Sequence, residues 1–367
     1  MNNEDSMAQY LNSNGIAFAS SADGHRQHYI DLLGSLFNLE PLCKAFGPKL
    51  FVKLLQTNKL VLATFDDNIL LGVCLSFARA ILGKNTTSIV LRPSSCFIDE
   101  GASLTARLRG KLKFLCCSFI NKFSRINLIS IVSADFDPRF RKIARYFLID
   151  PQFWDMHDGT ILREPQKSPL SDEILKIANG RQIVSIFGTL TPIRGYDFLA
   201  DIMAKNPKLS DQILAVAAGK SLPGCEKINE KFENSGGLLI DRHLTDQEIE
   251  SLYLASHLVW ACYAPHYDIS SGIFGRAMQF DVQAIIRKDS FLEHFAKKNS
   301  LSPKTLAYGD LNAGTIALEK CSAQSQLMNK SKVERTMMIG RWRNHFITTM
   351  SGTLDGSNGS TSVAEET

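Results

Sequence analysis

The sequence predicts an α/β protein of two domains, each built on a parallel sheet. The first observation is length, since 367 residues are enough for two domains with their own hydrophobic cores. The second is that short apolar runs alternate with helical patterns in both halves, which favours parallel strands covered on both faces. The third is the stretch 258–286, where apolar run, polar turn, helical pattern and second apolar run make a βαβ unit.

Composition narrows the classes of function. A net charge of +4 is too small to predict nucleic acid as the main partner. None of the eight cysteines forms a CxxC pair and most lie in apolar runs, so we expect buried thiols in a reducing compartment. The N-terminus does not resemble a signal peptide, and no run of roughly 18 apolar residues predicts a membrane span. We therefore expect a cytoplasmic protein.

Residues 1–160 are predicted to form the first domain, beginning with a frayed polar segment. Its strands are predicted at residues 15–19, 60–65, 88–91 and 127–133. Its helices are predicted at residues 29–36, 70–78, 103–125 and 139–147. Small or polar residues follow the strands, so this order is typical of a parallel sheet.

The segment 103–125 combines positive charge with a helical apolar stripe, and no acidic residue occurs between Gly101 and Ala134. Its cations are Arg107, Arg109, Lys111, Lys113, Lys122 and Arg125. Its stripe consists of Leu104, Leu108, Leu112, Leu115 and Phe119. Such a helix can lie on an anionic membrane, which predicts a peripheral protein of the inner membrane face. The alternative is an ordinary domain helix with a solvated basic face.

Residues 161–330 are predicted to form the second domain, after a polar lead-in. Its strands are predicted at residues 183–187, 213–217, 238–240, 258–262 and 284–286. Thr245 and Glu248 predict a capping box at the start of a helix over 245–255. A last helix over 331–350 is a candidate to cross back to the first domain, and the Gly/Ser/Thr-rich tail 351–367 is expected to be disordered.

Three polar features follow strands of the second domain. They are Arg194 after Gly188, Lys220 after Gly219, and a turn made of Ser270, Ser271 and Gly272 that precedes a helix. Ligands of open α/β sheets bind at the carboxyl ends of strands, and a helix N-terminus favours anions. Arginine can grip phosphate oxygens with two hydrogen bonds, while lysine acts as a point charge. Each feature alone is compatible with a solvated turn, but together they predict a diphosphate site.

These residues carry a resemblance to a known family. Residues 188–195 read GTLTPIRG, which is similar to the G-R-L-x-x-x-K-G motif of GT-B glycosyltransferases of family 4. Arg194 stands at the lysine of that motif, and Thr189 at its arginine. The resemblance covers roughly residues 180–320 and includes the helix over 245–255. It implies a GT-B fold, with two Rossmann-like domains whose parallel sheets face each other across a cleft.

The resemblance also implies roles for individual residues. The backbone of Leu244 would contact the nucleobase. Aligning Ala277-Met278 on the family's E-x7-E-A-M pattern puts Asp268 at the first glutamate and Arg276 at the ribose-binding second one. A guanidinium only donates hydrogen bonds, so this motif is degenerate here. The implied nucleotide-binding set is Gly188, Thr189, Arg194, Gly219, Lys220, Leu244, Ser270, Ser271, Gly272 and Arg276.

The implied activity is transfer of a hexose from a nucleotide-sugar donor to a saccharide or lipid-linked acceptor, in polysaccharide or glycolipid biosynthesis. The resemblance implies neither a metal ion nor any cofactor besides the donor. Candidate general bases are Asp23, His25, Asp66 and Asp268, with Asp67 beside them. The simpler interpretation is a turn residue for His25 and helix capping for Asp66 and Asp67, whereas for Asp268 capping is the less favoured alternative. The alternative function is a degenerate GT-B protein that binds a nucleotide or a protein partner without catalysis; a nucleotide-sugar epimerase is less favoured.

Overall fold

The computed structural model describes residues 15–21, 26–98, 103–320, 327 and 330–356, and it divides into two compact units. Unit 1 comprises residues 1–151 and 344–367, and unit 2 comprises residues 152–343. Residues 152–160, assigned above to the first domain, thus belong to unit 2. The reason is apolar packing: Phe153 is buried against Phe274 and Phe295, with ring centroids 6.1 and 4.7 Å away.

Unit 1 is built on a six-stranded sheet whose strands pair in parallel, in the order β2-β1-β3-β4-β5-β6. The strands are β1 (Gly15–Ala19), β2 (Glu40–Cys43), β3 (Lys59–Leu62), β4 (Thr86–Val90), β5 (Ile126–Ser130) and β6 (Tyr146–Phe147). The helices are α1 (Arg26–Phe37), α2 (Pro48–Gln56), α3 (Ile69–Ile81) and α4 (Leu104–Ile120). The α/β class and the parallel pairing are confirmed for this half.

In unit 1 one local prediction is wrong, and one strand has no predicted counterpart. The helix predicted over 139–147 is a short 3-10 turn, Pro138–Lys142, followed by strand β6. The chain leaves the turn because the Arg145 amide donates to the Leu128 carbonyl at 2.9 Å and draws the backbone into the sheet. The edge strand β2 was not predicted, since Pro41 interrupts its apolar pattern; proline is tolerated at a sheet edge.

Unit 2 is built on a second parallel sheet, in the order β12-β11-β10-β7-β8-β9. The strands are β7 (Gln182–Phe187), β8 (Ile213–Ala218), β9 (Leu238–Ile240), β10 (Leu258–Ala261), β11 (Ala284–Arg287) and β12 (Lys304–Leu306). The helices are α5 (Pro169–Ala178), α6 (Tyr196–Lys205), α7 (Leu209–Gln212), α8 (Glu226–Asn234), α9 (Asp246–Ala255), α10 (Gly272–Gln279), α11 (Phe291–Lys298) and α12 (Leu311–Glu319). This strand order is that of a Rossmann sheet.

The core of unit 2 packs strands β7, β8 and β10 against helix α6. Trp260, Phe198 and Tyr196 are fully buried or nearly so. The Trp260 indole donates to the Gly195 carbonyl at 3.1 Å, which ties strand β10 to the loop after β7. The predicted capping box is confirmed, because Thr245 and Glu248 bond reciprocally at the start of α9. The loop after β7 and the start of helix α9 are therefore each held by hydrogen bonds.

The last helix, α13, runs from Lys332 to Asp355, five residues past its predicted end. Its first half belongs to unit 2, where Arg335 pairs with Asp281 at 2.6 Å, and its second half belongs to unit 1. Residues 351–355 are helical because Thr353 and Leu354 are buried in unit 1. The rest of the predicted tail, 357–367, lies outside the described residues. Within the described part of the chain, no helix is both long and apolar enough to cross a membrane.

Candidate functional site

The strand order of unit 2 locates a binding site. Neighbouring strands β7 and β10 send their connections in opposite directions along the sheet, to β8 and to β11. Ligands of such sheets bind outside the carboxyl ends of the strands at this switch point. The two loops found there are residues 188–195 and 262–271, and the Ala264 amide donates to the Ile193 carbonyl at 3.0 Å. The loops that carry most of the predicted anion-binding residues are therefore joined.

Arg194 lies over the backbone of Gly188. A Cβ on Gly188, whose φ is +92°, would be 2.8 Å from Nη1 of Arg194 and 3.6 Å from Cδ1 of Ile273 in helix α10. The guanidinium therefore lies close to the first turn of that helix. It makes no ion pair with any residue that the structure describes, and its side chain is partly exposed. Arg194 is thus a cation available to an incoming anion.

Gly219 allows the loop after β8 to close on the loop after β7. Its φ is +142°, and a Cβ there would lie 1.8 Å from the Gly188 carbonyl oxygen, so no larger residue fits. The next residue, Lys220, accepts a backbone bond from the Leu190 amide, while its ammonium lies 3.3 Å from the Asp241 carboxylate. The structure thus places Lys220 beside the site with its charge already paired.

Ser270, Ser271 and Gly272 form the N-terminal entry of helix α10. Ser271 is the cap, and its hydroxyl accepts from the Phe274 amide at 3.2 Å. The buried Ser270 hydroxyl has no hydrogen-bond partner in the described part of the chain. The amides of Gly272 and Ile273 are also left without an acceptor among these residues. Unsatisfied donors at a helix N-terminus, facing a free arginine, make an anion site.

Gly272 packs closely against the side chain of Gln152. A Cβ there would lie 1.6 Å from the side-chain oxygen of Gln152, so a larger residue would displace the buried Gln152 side chain. Two further predicted nucleotide contacts are Thr189 and Leu244. Thr189 is exposed, and the backbone amide and carbonyl of Leu244 are free of hydrogen bonds within the described residues. A residue that recognises a nucleobase through its backbone needs an amide and a carbonyl that are free of other hydrogen bonds.

Arg276 is placed differently from the expectation that it faces the nucleotide. Its guanidinium donates to Asp155 Oδ2 at 2.9 and 3.2 Å, and Asp155 Oδ1 accepts from Gln279 at 2.9 Å. The Arg276 side chain is only 12% exposed, and that of Asp155 is fully buried. Although burial lowers the pKa of Arg276, the Asp155 charge raises it above its usual value. The arginine therefore holds residues of unit 2 together.

Asp268 and Asp66 each use both carboxylate oxygens inside their own unit. Asp268 accepts from the Phe291 amide at 2.8 Å and pairs with Arg287 at 2.9 Å. Asp66 accepts from the amides of Leu91 and Arg92 at 3.1 and 3.0 Å. These contacts favour structural roles for both aspartates. Asp268 binds the first amide of α11, as the capping alternative expects, whereas Asp66 binds amides after strand β4 and does not cap helix α3. Asp23 and His25 lie outside the described residues.

Asp67 is also held in an ion-pair network. Its carboxylate accepts from Arg26 at 2.6 and 3.0 Å and from Arg92 at 2.8 Å. Burial by itself raises the pKa of Asp67, but the bonds and charges of Arg26 and Arg92 lower it below the usual value. A carboxylate with a lowered pKa is a weak base, so Asp67 is poorly suited to take a proton.

Tyr263 is a further site residue, which no sequence motif marks. Its hydroxyl lies 2.7 Å from the Ser271 hydroxyl, and burial raises its pKa, so the phenol stays protonated. When Tyr263 and the Phe274 amide both donate to Ser271, the proton of Ser271 is left to donate outward, toward an anion. Only the spacing of a tyrosine eight residues before a helix cap signals this role, and that spacing is unspecific.

We expect Tyr263→Phe to weaken binding of a nucleoside diphosphate about three- to tenfold, because one neutral hydrogen bond orients the serine donor. Calorimetric titration measures the change. Tyr267→Phe is the matched control, since its ring packs on Tyr263 at 5.7 Å but its hydroxyl does not reach the cap. Equal affinities of wild-type protein and Tyr263→Phe would show that the hydroxyl does not contribute.

No candidate metal site of three or more His, Cys, Asp or Glu side chains occurs in the described residues. The anion site described above consists of hydrogen-bond donors and one cation. Its chemistry is the stabilisation of negative oxygen atoms at a fixed place.

Comparisons with known proteins give the fold a class. No family model and no curated protein sequence matches this chain. Among solved structures, sucrose-phosphate synthase of Thermosynechococcus elongatus is 15% identical, with 93% of this chain and 98% of that chain covered and a TM-score of 0.64. HepE of Anabaena, solved with UDP and glucose, is 15% identical over 92% of this chain and 99% of that one, with a TM-score of 0.63.

A third similar structure is the UDP-forming α,α-trehalose-phosphate synthase of Burkholderia xenovorans, solved with glucose-6-phosphate. It is 7% identical over 83% of this chain and 76% of that one, with a TM-score of 0.58. At such low identities the likeness shows the fold alone. The protein has the GT-B fold, which confirms the predicted class. More specifically, each of its two units carries a parallel sheet, and that of unit 2 has the Rossmann strand order.

Proposed function

We propose that this protein is a glycosyltransferase that uses a nucleotide-sugar donor. The observation that carries the proposal is the meeting of Arg194 with the donor-rich N-terminus of α10 at the switch point of unit 2. A nucleoside diphosphate has the negative oxygens that such a site stabilises. The similar structures support the choice of ligand, because HepE was solved with UDP and with UDP-glucose.

The same hydrogen-bond donors would also stabilise the charge that develops during sugar transfer. As the bond between the sugar C1 and the diphosphate breaks, negative charge grows on the departing oxygen. Arg194 and the first turn of α10 would stabilise that charge without a metal ion, a contribution that is usually the largest single one in catalysis. The acceptor oxygen forms the new bond to C1 and must lose its proton. Since Asp66 and Asp268 are engaged elsewhere, the departing phosphate and the candidate bases Asp23 and His25 are the acceptors that remain for that proton.

The finer assignments follow the family resemblance. We propose a hexose as the transferred sugar and a saccharide or lipid-linked molecule as the acceptor, in polysaccharide or glycolipid biosynthesis. We also propose that the protein works as a peripheral protein at the cytoplasmic face of a membrane. This placement is supported by the basic helix α4, whose surface is described below.

We expect release of a nucleoside diphosphate from one member of a panel of UDP-, GDP- and dTDP-hexoses. Membrane glycolipid extract or oligosaccharides serve as acceptors, and a coupled assay for free diphosphate gives the rate. Arg194→Ala is the matched inactive variant, with an expected loss of about a hundredfold. Absence of release from every donor, with each acceptor preparation, would contradict the proposed activity.

One specific observation favours the alternative function, a degenerate GT-B protein that binds without catalysis. Arg276 occupies the position that the family uses for ribose, and it is buried against Asp155. A GT-B protein that lost this contact could bind a nucleotide or a protein partner without catalysis. The release assay separates the two, since a degenerate protein would bind the diphosphate in a titration yet release none from the sugar donors.

A further inference from the structure

Helix α4 of unit 1 exposes its most apolar face. Leu104, Leu108, Leu112, Leu115 and Phe119 are between 46% and 69% exposed, and we call these five residues the α4 ridge. At 3.6 residues per turn they fall within about 80° of the helix circumference. The residues of α4 that are buried in unit 1 are Gly110, Cys117 and Ile120, on the opposite side. The apolar stripe of this helix therefore points to solvent instead of the core.

Helix α3 extends this surface. Its exposed residues Leu70, Cys74, Phe77 and Ile81 are also aligned at helical spacing, and α3 and α4 are packed neighbours. The Phe77 ring lies 6.1 Å from that of Phe119 and 5.4 Å from that of Phe123, so the two stripes meet. A contiguous exposed apolar surface of this kind is uncommon on a protein without a partner for it.

Among the described residues of helix α4, the charges that flank the α4 ridge are all positive. Arg107 and Lys111 flank it on one side and Arg109 on the other, at the angles that helical spacing gives. None of these three cations, nor the exposed Lys122, has an ion pair within the described residues. From Asn68 to Ala134 the sequence contains only two acidic residues, Asp99 and Glu100. The surface is therefore apolar at its centre and positive at its border.

We propose that this two-helix surface docks on an anionic lipid bilayer. An interfacial helix buries its apolar side chains at the boundary of the acyl chains while its cations contact anionic headgroups, and both halves of that requirement are met here. A second copy of the chain fits less well, because a symmetric contact would bring the same unpaired cations together. The bilayer is thus the occupant whose charge complements the surface.

Docking stands on unit 1 alone and does not depend on the proposed sugar transfer. Docking does favour a lipid-linked acceptor for that reaction, because a protein held on the bilayer lies beside the lipid-linked molecules of that membrane. Vesicle binding is measured without any sugar or nucleotide. Its failure would leave the donor site of unit 2 untouched, and failure of the transfer assay would leave the docking surface untouched.

The test is flotation of the full-length protein with vesicles of phosphatidylcholine alone and of phosphatidylcholine with about 30% phosphatidylglycerol. We expect binding only to the second, weakened at high salt. The triple variant Leu108→Ser, Leu112→Ser, Leu115→Ser and the double variant Lys111→Glu, Lys122→Glu should each lower the partition coefficient roughly tenfold or more. Because these residues are exposed, both variants should unfold at the temperature of the wild type.

Matched controls lie on unit 2. Leu175→Ser, Leu254→Ser and Ile316→Ser remove three similarly exposed apolar side chains, and Lys208→Glu with Lys227→Glu reverses two exposed charges. These controls should bind vesicles like the wild type. Equal loss in the controls would overturn the proposal, as would equal binding to neutral vesicles or no binding to anionic ones at low salt. A wild-type dimer that the triple ridge variant dissociates would identify a second copy as the occupant instead.

Discussion

Replacing Arg194 by alanine should weaken binding of the nucleoside diphosphate roughly ten- to a hundredfold, the loss expected for charge-assisted hydrogen bonds to phosphate. Arg194 has no ion pair within the described residues, so its removal leaves no buried charge behind. The free energy of unfolding should therefore stay close to that of the wild type. Calorimetric titration gives the affinity, and chemical denaturation gives the stability.

Two variants sharpen this comparison. Arg194→Lys keeps the charge but loses the two-pronged donor geometry, so its affinity should lie between those of the wild type and Arg194→Ala. Lys208→Ala removes an exposed cation near the amino end of β8, whereas the loops of the site lie at the carboxyl ends of the strands. This variant should bind the diphosphate like the wild type. An Arg194→Ala protein with unchanged affinity would remove the arginine from the site.

Breaking the buried pair of Arg276 and Asp155 should destabilise the protein by about 3–5 kcal/mol. Asp155→Asn keeps the size of the side chain but leaves the Arg276 charge, 12% exposed, without its counter-ion. Arg276→Met removes the ion-pair partner of the fully buried Asp155 carboxylate. In both cases the lost stability is the cost of a buried charge that has lost this counter-ion. Chemical denaturation of the single variants measures the effect.

The double variant Arg276→Met, Asp155→Leu should recover most of the lost stability, since no charge then remains buried. The exposed pair of Lys231 and Asp201, 2.6 Å apart, is the matched control, and Asp201→Asn should cost less than about 1 kcal/mol. Folded Arg276→Met should keep wild-type affinity for the diphosphate. A selective loss of affinity without loss of stability would return Arg276 to the nucleotide site.

The sequence predicts the fold well because local signals and tertiary structure agree. The apolar runs over 183–187 and 258–262 are strands, and the turn before Gly272 does open a helix at the carboxyl edge of the sheet. Arg194 could be found because its motif is local: the glycines around it are needed for positive φ and close backbone approach. Such features depend on neighbours within a few residues.

The missed features depend on partners distant in the chain. Asp155 and Arg276 are 121 residues apart, and no pattern in the sequence joins them. Asp268 reads as a donor-site carboxylate in an alignment, but its partners, Arg287 and the Phe291 amide, lie on the next strand and helix. For α4, periodicity predicts the apolar stripe, yet only packing decides that the stripe faces outward.

The central claim is that the switch point of unit 2 binds a nucleoside diphosphate, and titration calorimetry with nucleotides tests it most directly. UDP, GDP and dTDP are titrated into the wild-type protein beside the corresponding nucleosides. We expect micromolar affinity for one diphosphate and binding at least about a hundredfold weaker for its nucleoside, because the site recognises phosphate oxygens. Equal affinities for nucleoside and diphosphate, or no heat with any nucleotide at millimolar concentration, would contradict the proposed site.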